Sequence, residues 1–329
     1  MSFPRNRESI FYVKKLVFIF FIFLFTINSQ GQNSSFFKKS DTLNIKRRNT
    51  VIIAETTLAV GTLIALNQLW YSNHPKSSFH FKNDNHQWKQ MDKIGHVMTS
   101  YYVGKTGMNA LDWAGVSKKN QLIYGATFGF TFLTAVEVLD GFSQKWGASW
   151  GDILANASGT GLLVGQELLW EEQRIILKYS FSQTDFANKR PNVLGENYLQ
   201  QALKDYNGQT YWLSANIWSF NKESNFPKWL NVAFGYGAHG MLYGATPNSL
   251  VSQDPYRQFY LSLDVDLTKI KTNSKFLKTL FATINFIKIP APTLEYNRKE
   301  NFKFHFLSLI YHQVCPFNSL FEVFQVVSY

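Results

Sequence analysis

A chain of 329 residues with 45% apolar and 17% aromatic residues can bury one large core or two modest ones, which excludes a disordered or collagen-like polypeptide. Its net charge of +11 comes from scattered lysines and arginines, only Lys46, Arg47 and Arg48 being clustered, so no basic surface for nucleic acid is expected. The single cysteine, Cys315, excludes an intrachain disulfide and a thiolate metal cage, while 30 phenylalanines against 17% charged residues point to a membrane or envelope setting.

Lys14 and Lys15 precede an unbroken apolar run from Leu16 to Phe25, followed by the small polar stretch Asn28-Ser29-Gln30-Gly31. This is the pattern of a secretory signal peptide over residues 1–31, cleaved after Gly31. The apolar run is short for a permanent span, which takes ~20 residues. No cysteine follows it, so lipid attachment at a new N-terminal Cys is not expected. The alternative is an uncleaved anchor in a multi-pass inner-membrane protein.

A polar linker, residues 32–50, leads into four long apolar segments: Val51 to Trp70, Ile94 to Leu111, Leu122 to Leu139 and Ile153 to Trp170. Each is long enough for a membrane helix or a buried bundle helix. The pairs Gly125/Gly129 and Gly161/Gly165 have the four-residue spacing that lets helix backbones approach closely. Asn120 is placed to cap the third helix, Gly141 to end it, and Ser149 with Asp152 forms a capping box opening the fourth. The expectation is an N-terminal bundle of about four apolar helices over residues 51–180.

Residues 181–209 are polar and turn-rich and read as a connector. An α+β part follows over residues 210–309. Phe259, Leu261, Leu263, Val265 and Leu267 alternate with Tyr260, Ser262, Asp264 and Asp266, a strand whose apolar face is expected to be buried and whose aspartates are expected in solvent. Similar alternation occurs at Tyr211 to Trp218, Leu230 to Tyr236 and Phe302 to Phe306, and helical spacing at Leu277, Leu280, Phe281, Ile284 and Ile287. Four strands suit a small antiparallel sheet better than a closed barrel. The tail, residues 310–329, has no clear pattern.

The apolar helices carry a polar constellation. Asp92 and His96 lie on one helical face with Thr99 or Ser100, Glu137 and Asp140 close the next helix, and Asp152, Asn156 and Gly159 line a face of the last. Two or three carboxylates and an imidazole could bind a divalent metal or act as acid and base. They could equally be caps and interhelical hydrogen bonds. His74, His80 and His86 recur at a six-residue spacing that suits no metal site and read as loop histidines. No phosphate loop, serine elbow or zinc-protease helix occurs.

The ordered set Phe79-His80-Phe81, Asp84, Trp88, Asp92-Lys93-Ile94-Gly95-His96, Glu137 with Asp140, and Ser149, Asp152, Asn156 and Gly159 resembles the YfiM-like family of uncharacterised predicted periplasmic lipoproteins. More remotely it is similar to the VanZ-like membrane family, linked to glycopeptide resistance. The likeness covers about residues 79 to 170. Trp229-Leu230-Asn231 and Ile289 to Pro292 resemble stretches of longer Bacteroidetes-type members. The resemblance implies a periplasmic setting and a site at Asp92, His96, Glu137, Asp140, Asp152 and Asn156, supported by Asp84, Trp88, Lys93, Ser149 and Gly159. It implies no reaction.

The reading is an exported envelope protein on the outer-membrane side of the periplasm, in a structural or interaction role, with membrane lipid or an envelope protein as partner and no resident cofactor expected. The alternative is a membrane-associated enzyme or lipid-binding protein acting on an amphiphilic envelope molecule through the carboxylate/histidine site, with a divalent metal as an option.

Overall fold

Four long helices precede a sheet in the computed structural model, which describes residues 38–71, 74–245 and 254–306. The expected signal peptide, tail and Cys315 lie outside the described residues. From Ser40 onward the chain forms one compact unit.

Helix α1, Ile45–Leu66, opens where the Asn44 side chain accepts from the Arg47 backbone N–H, and runs into a π-helical turn at Asn67–Tyr71. After the basic first turn, Lys46 to Arg48, it is largely apolar with Glu55 its one further charge, and Val51 is its one buried residue. Helices α2 (Met91–Trp113), α3 (Lys118–Gly141) and α4 (Trp150–Trp170) pack closely on one another. Glycine makes that possible. A Cβ on Gly129 would stand 2.1 Å from the Ser100 carbonyl oxygen, and one on Gly159 would stand 2.1 Å from that of Val97.

Some sequence expectations need correction here. Gly161 and Gly165 meet nothing within 4 Å, so Gly159 rather than this pair carries the close approach on α4. Asn120 does not cap α3: that helix starts at Lys118, and Asn120 sits inside its first turn with helical dihedrals and no capping bond. The four apolar segments are helical, but α1 remains largely exposed while α2, α3 and α4 form the packed group.

Six strands follow: β1 (Ile175–Phe181), β2 (Gln209–Asn216), β3 (Leu230–His239), β4 (Tyr256–Val265), β5 (Thr293–Asn297) and β6 (Asn301–His305). They form one antiparallel sheet in sequential order. Strand β1 lies inside the stretch assigned to the helical bundle, and three short helices, Asp185–Lys189, Pro191–Leu194 and Tyr198–Lys204, occupy the connector. Helix α5 (Lys275–Ile284) sits between β4 and β5, its first turn capped by Ser274.

The period of β4 is as expected, but its faces are reversed. Leu261 and Leu263 are 44% and 46% exposed, whereas Asp264 and Asp266 are each 1% exposed. The same inversion holds across the sheet. Leu213, Phe234, Phe259, Leu294 and Phe304 point outward, while Ser214, Asn216, Asn231, Thr293, Glu295 and Asn297 are buried. The reason is a satisfied polar interior. Lys178 pairs with Asp264 at 2.9 Å, Ser214 Oγ donates to the same carboxylate at 2.6 Å, and Lys288 donates to the carbonyls of Leu263 and Ile289. Charges that find partners can be buried; left unpaired they could not.

Candidate functional site

The polar constellation converges where the N-terminal ends of α2 and α4 meet the C-terminal end of α3. Asp92 and His96 come from the first two turns of α2, Glu137 and Asp140 from the last turn of α3, and Asp152 and Asn156 from the first two turns of α4. His96 Nε2 stands 4.0 Å from Asp92 Oδ1, 3.9 Å from Glu137 Oε1 and 3.8 Å from Asp152 Oδ1. Its other ring nitrogen, Nδ1, is 3.0 Å from Asn156 Oδ1.

Only half of the expected capping box forms, and the missing half matters. Ser149 Oγ accepts from the Asp152 N–H at 3.3 Å, but the Ser149 N–H donates to Glu137 Oε2 at 2.9 Å instead of to Asp152. Glu137 thus fastens the end of α3 to the start of α4. The Asp152 carboxylate is left to face Lys93 and His96.

Lys93 is the cation of the cluster. Its Nζ lies 2.6 Å from Asp84 Oδ1, 2.8 Å from Asp152 Oδ1 and 3.4 Å from Asp92 Oδ2. Burial opposes its charge, but the hydrogen bonds it donates to Asp152 and Asp84 outweigh that and raise the Lys93 pKa. Burial likewise works against the Asp84 carboxylate, and its bonds to Lys93 and Ser149 overcome this and lower its pKa. Asp152 is shifted upward, first by burial and then by the neighbouring Asp92. For His96 burial disfavours the imidazolium, yet the charges of Asp92, Asp152 and Glu137 prevail and raise its pKa above 6.5.

Asp140 stands at the edge of the group, accepting from Tyr71 Oη at 2.7 Å. Gly159 serves the site by letting α4 approach α2, and Ser100 rather than Thr99 joins the two helices, donating to the Asn156 carbonyl at 2.7 Å. Trp88 lies at the mouth, in a run of positive-φ residues, Trp88, Lys89 and Gln90, that turns the chain into α2. Three non-glycine residues in that region are a strained entry to a helix. His74, His80 and His86 stay in the preceding loop, His80 bonded to Ser77 and His74 against the Trp146 ring edge.

Two tyrosines from other parts of the chain complete the wall, and no local pattern marked them. Tyr206, in the turn before β2, donates to Asp92 Oδ1 at 2.9 Å, and Tyr211 on β2 reaches the same cavity. That cavity measures about 860 Å³. Its lining combines Asp84, Asp92, His96, Glu137, Asp140 and Asp152 with the apolar Met98, Val103, Leu133, Val136 and Phe286. The arrangement offers a buried anionic and imidazole surface beside an apolar cleft.

No curated protein and no solved structure matches the chain. Residues 80–165, which include Asp84 and every cluster residue from Asp92 to Asn156, match the family described as predicted periplasmic lipoprotein (DUF2279).

Proposed function

We propose that this chain is an exported, membrane-embedded protein of the cell envelope that binds an amphiphilic envelope molecule, with the polar group at the Asp92–His96–Asp152 cluster and the apolar part along Met98, Val103 and Phe286. The observation that carries this reading is the mixed lining of the cavity, in which carboxylates and an imidazole share one space with aliphatic and aromatic carbon. The family description supports export to the periplasm. The membrane hold is assigned to apolar surface.

That surface is extensive. Helices α1 and α3 are long and apolar enough to cross a membrane. The sheet turns leucine and phenylalanine outward and charge inward, the alternation of strands that face lipid, and β3 and β4 have the ten residues such strands use. An antiparallel, lipid-facing sheet favours the outer-membrane side.

The test is lipid analysis of the full chain purified from envelope membranes in mild detergent. One amphiphile enriched over an unrelated envelope protein, and depleted in Val103→Trp with an unchanged thermal melt, is the expected result. Equal lipid content in both proteins would leave the cluster as a structural polar network and favour a purely architectural role.

A further inference from the structure

We propose that Asp92, His96 and Asp152, with Glu137 beside the imidazole, form a site for one divalent transition-metal ion. The proposal deepens the reading of the cavity as a polar-group site, since the ion would face that group, but it is carried by separate geometry.

The first observation is the state of the imidazole. Its Nδ1 is set 3.0 Å from the Asn156 side-chain oxygen, an acceptor that suits the neutral tautomer with its proton on Nδ1. The lone pair then belongs to Nε2. Nε2 points among three carboxylate oxygens at 3.8, 3.9 and 4.0 Å, each too far for a hydrogen bond and nearly equidistant. Carboxylates so placed favour positive charge at Nε2, a proton on the imidazolium or, on the neutral ring, a metal ion in its place. Fixing the remote ring nitrogen with an oxygen acceptor is how proteins orient a ligating histidine.

The second observation is spacing. The donor atoms of Asp92, His96 and Asp152 all lie within 4.8 Å of one another. Ligands bonded to one ion at about 2.0–2.4 Å stand at most roughly 4–5 Å apart, which covers every distance here.

The third is an unsatisfied atom. Asp152 is 4% exposed, and its Oδ1, the oxygen nearest His96, accepts no aligned hydrogen bond: the Lys93 ammonium stands 2.8 Å from it as an ion pair but directs its bond to Oδ2 at 2.9 Å. A buried carboxylate oxygen in that condition is costly. Five carboxylates, Asp84, Asp92, Glu137, Asp140 and Asp152, share the space with Lys93 and His96. Their mutual repulsion favours further positive charge in that space. One imidazole among carboxylates favours Mn²⁺, Fe²⁺ or Zn²⁺ over Ca²⁺ or Mg²⁺.

The experiment uses the full chain in detergent, stripped with a chelator and titrated calorimetrically with Zn²⁺ or Mn²⁺ alone. One ion per chain is expected, with affinity falling at least about tenfold in the near-isosteric Asp152→Asn and in Asn156→Ala, whose role is to orient the histidine. Pulsed electron–nuclear resonance of the Mn²⁺ form should show an imidazole nitrogen that disappears in His96→Ala. Thermal melts of the metal-free variants separate lost binding from lost folding. Absence of saturable binding to the folded protein would overturn the proposal, as would binding unchanged in Asp152→Asn. Binding that emerges only in Lys93→Met would overturn it too, assigning charge compensation to the ammonium. No lipid enters the titration, so metal without a co-purified amphiphile, or the reverse, tells which of the two proposals fails.

Discussion

Lys178 on β1 and Asp264 on β4 form an ion pair at 2.9 Å with no exposure of either side chain, beneath a sheet whose outer face is leucine and phenylalanine. Around them Lys178 Nζ donates to the Val265 carbonyl at 2.6 Å, and Ser214 Oγ to Asp264 at 2.6 Å. Removing one partner of such a pair strands the other charge in the interior. Asp264→Leu is therefore expected to destabilise the protein by about 3–5 kcal/mol, while Leu263→Ala on the outer face should stay within about 0.5 kcal/mol. Unfolding of both variants in detergent checks this, and the opposite ranking would mean that the apolar face is the buried one.

The outer face makes a prediction about the membrane. An aspartate placed on lipid-facing strand surface costs energy in the bilayer, up to a few kcal/mol at its centre. Phe234, 59% exposed on β3, would be such a position if the proposed membrane reading holds. The wild-type chain is expected to resist extraction by alkaline carbonate, and Phe234→Asp to shift part of the protein into the released fraction. Full release of the wild type would show that lipid does not cover this face.

The close helix crossings predict an asymmetry among glycines. Gly129→Ala drives a methyl group into the Ser100 carbonyl, and Gly159→Ala into that of Val97. Both should lower the melting temperature by several degrees, the response to overpacking of about 1–3 kcal/mol. Gly161→Ala meets open space and gains helix propensity, so it should be neutral or stabilising by up to about 1 kcal/mol. Thermal melts of the three single variants decide it.

In chelator-treated protein His96 should titrate above 6.5, because Asp92, Asp152 and Glu137 outweigh its burial. A raised folded pKa contributes stability that is complete below the unfolded value and fades as pH rises through the folded one. Glu137→Gln removes one of the three charges and should lower the His96 pKa. Imidazole NMR titration in both proteins reads the shift directly. An unchanged titration would show that the two groups are electrically independent.

Much of the architecture is local and therefore legible along the chain. Apolar runs marked the four helices, Gly141 the end of α3, Ser149 the start of α4, and period-two alternation four of the six strands. Strand β1 went unread because Ile175-Ile176-Leu177 breaks alternation, and β5 because its alternation, Thr293 to Asn297, runs for only five residues. Helical spacing likewise placed Asp92 with His96 and Asp152 with Asn156, since positions four apart share a face in any α-helix. Which face meets the interior is a different matter. Alternation has the same period whether the polar side looks into water or into a partnered core, so the inversion of β4 was decided by Lys178, Lys288 and Ser214, distant in sequence from Asp264. The same holds for the site. Tyr206 reaches Asp92 from 114 residues away, and Glu137 takes the Ser149 N–H that a local capping box would have given to Asp152. Those choices depend on where α2, α3, α4 and β2 cross, which is set by close glycine packing and by the pairing of buried charge, neither of which is written in any one segment.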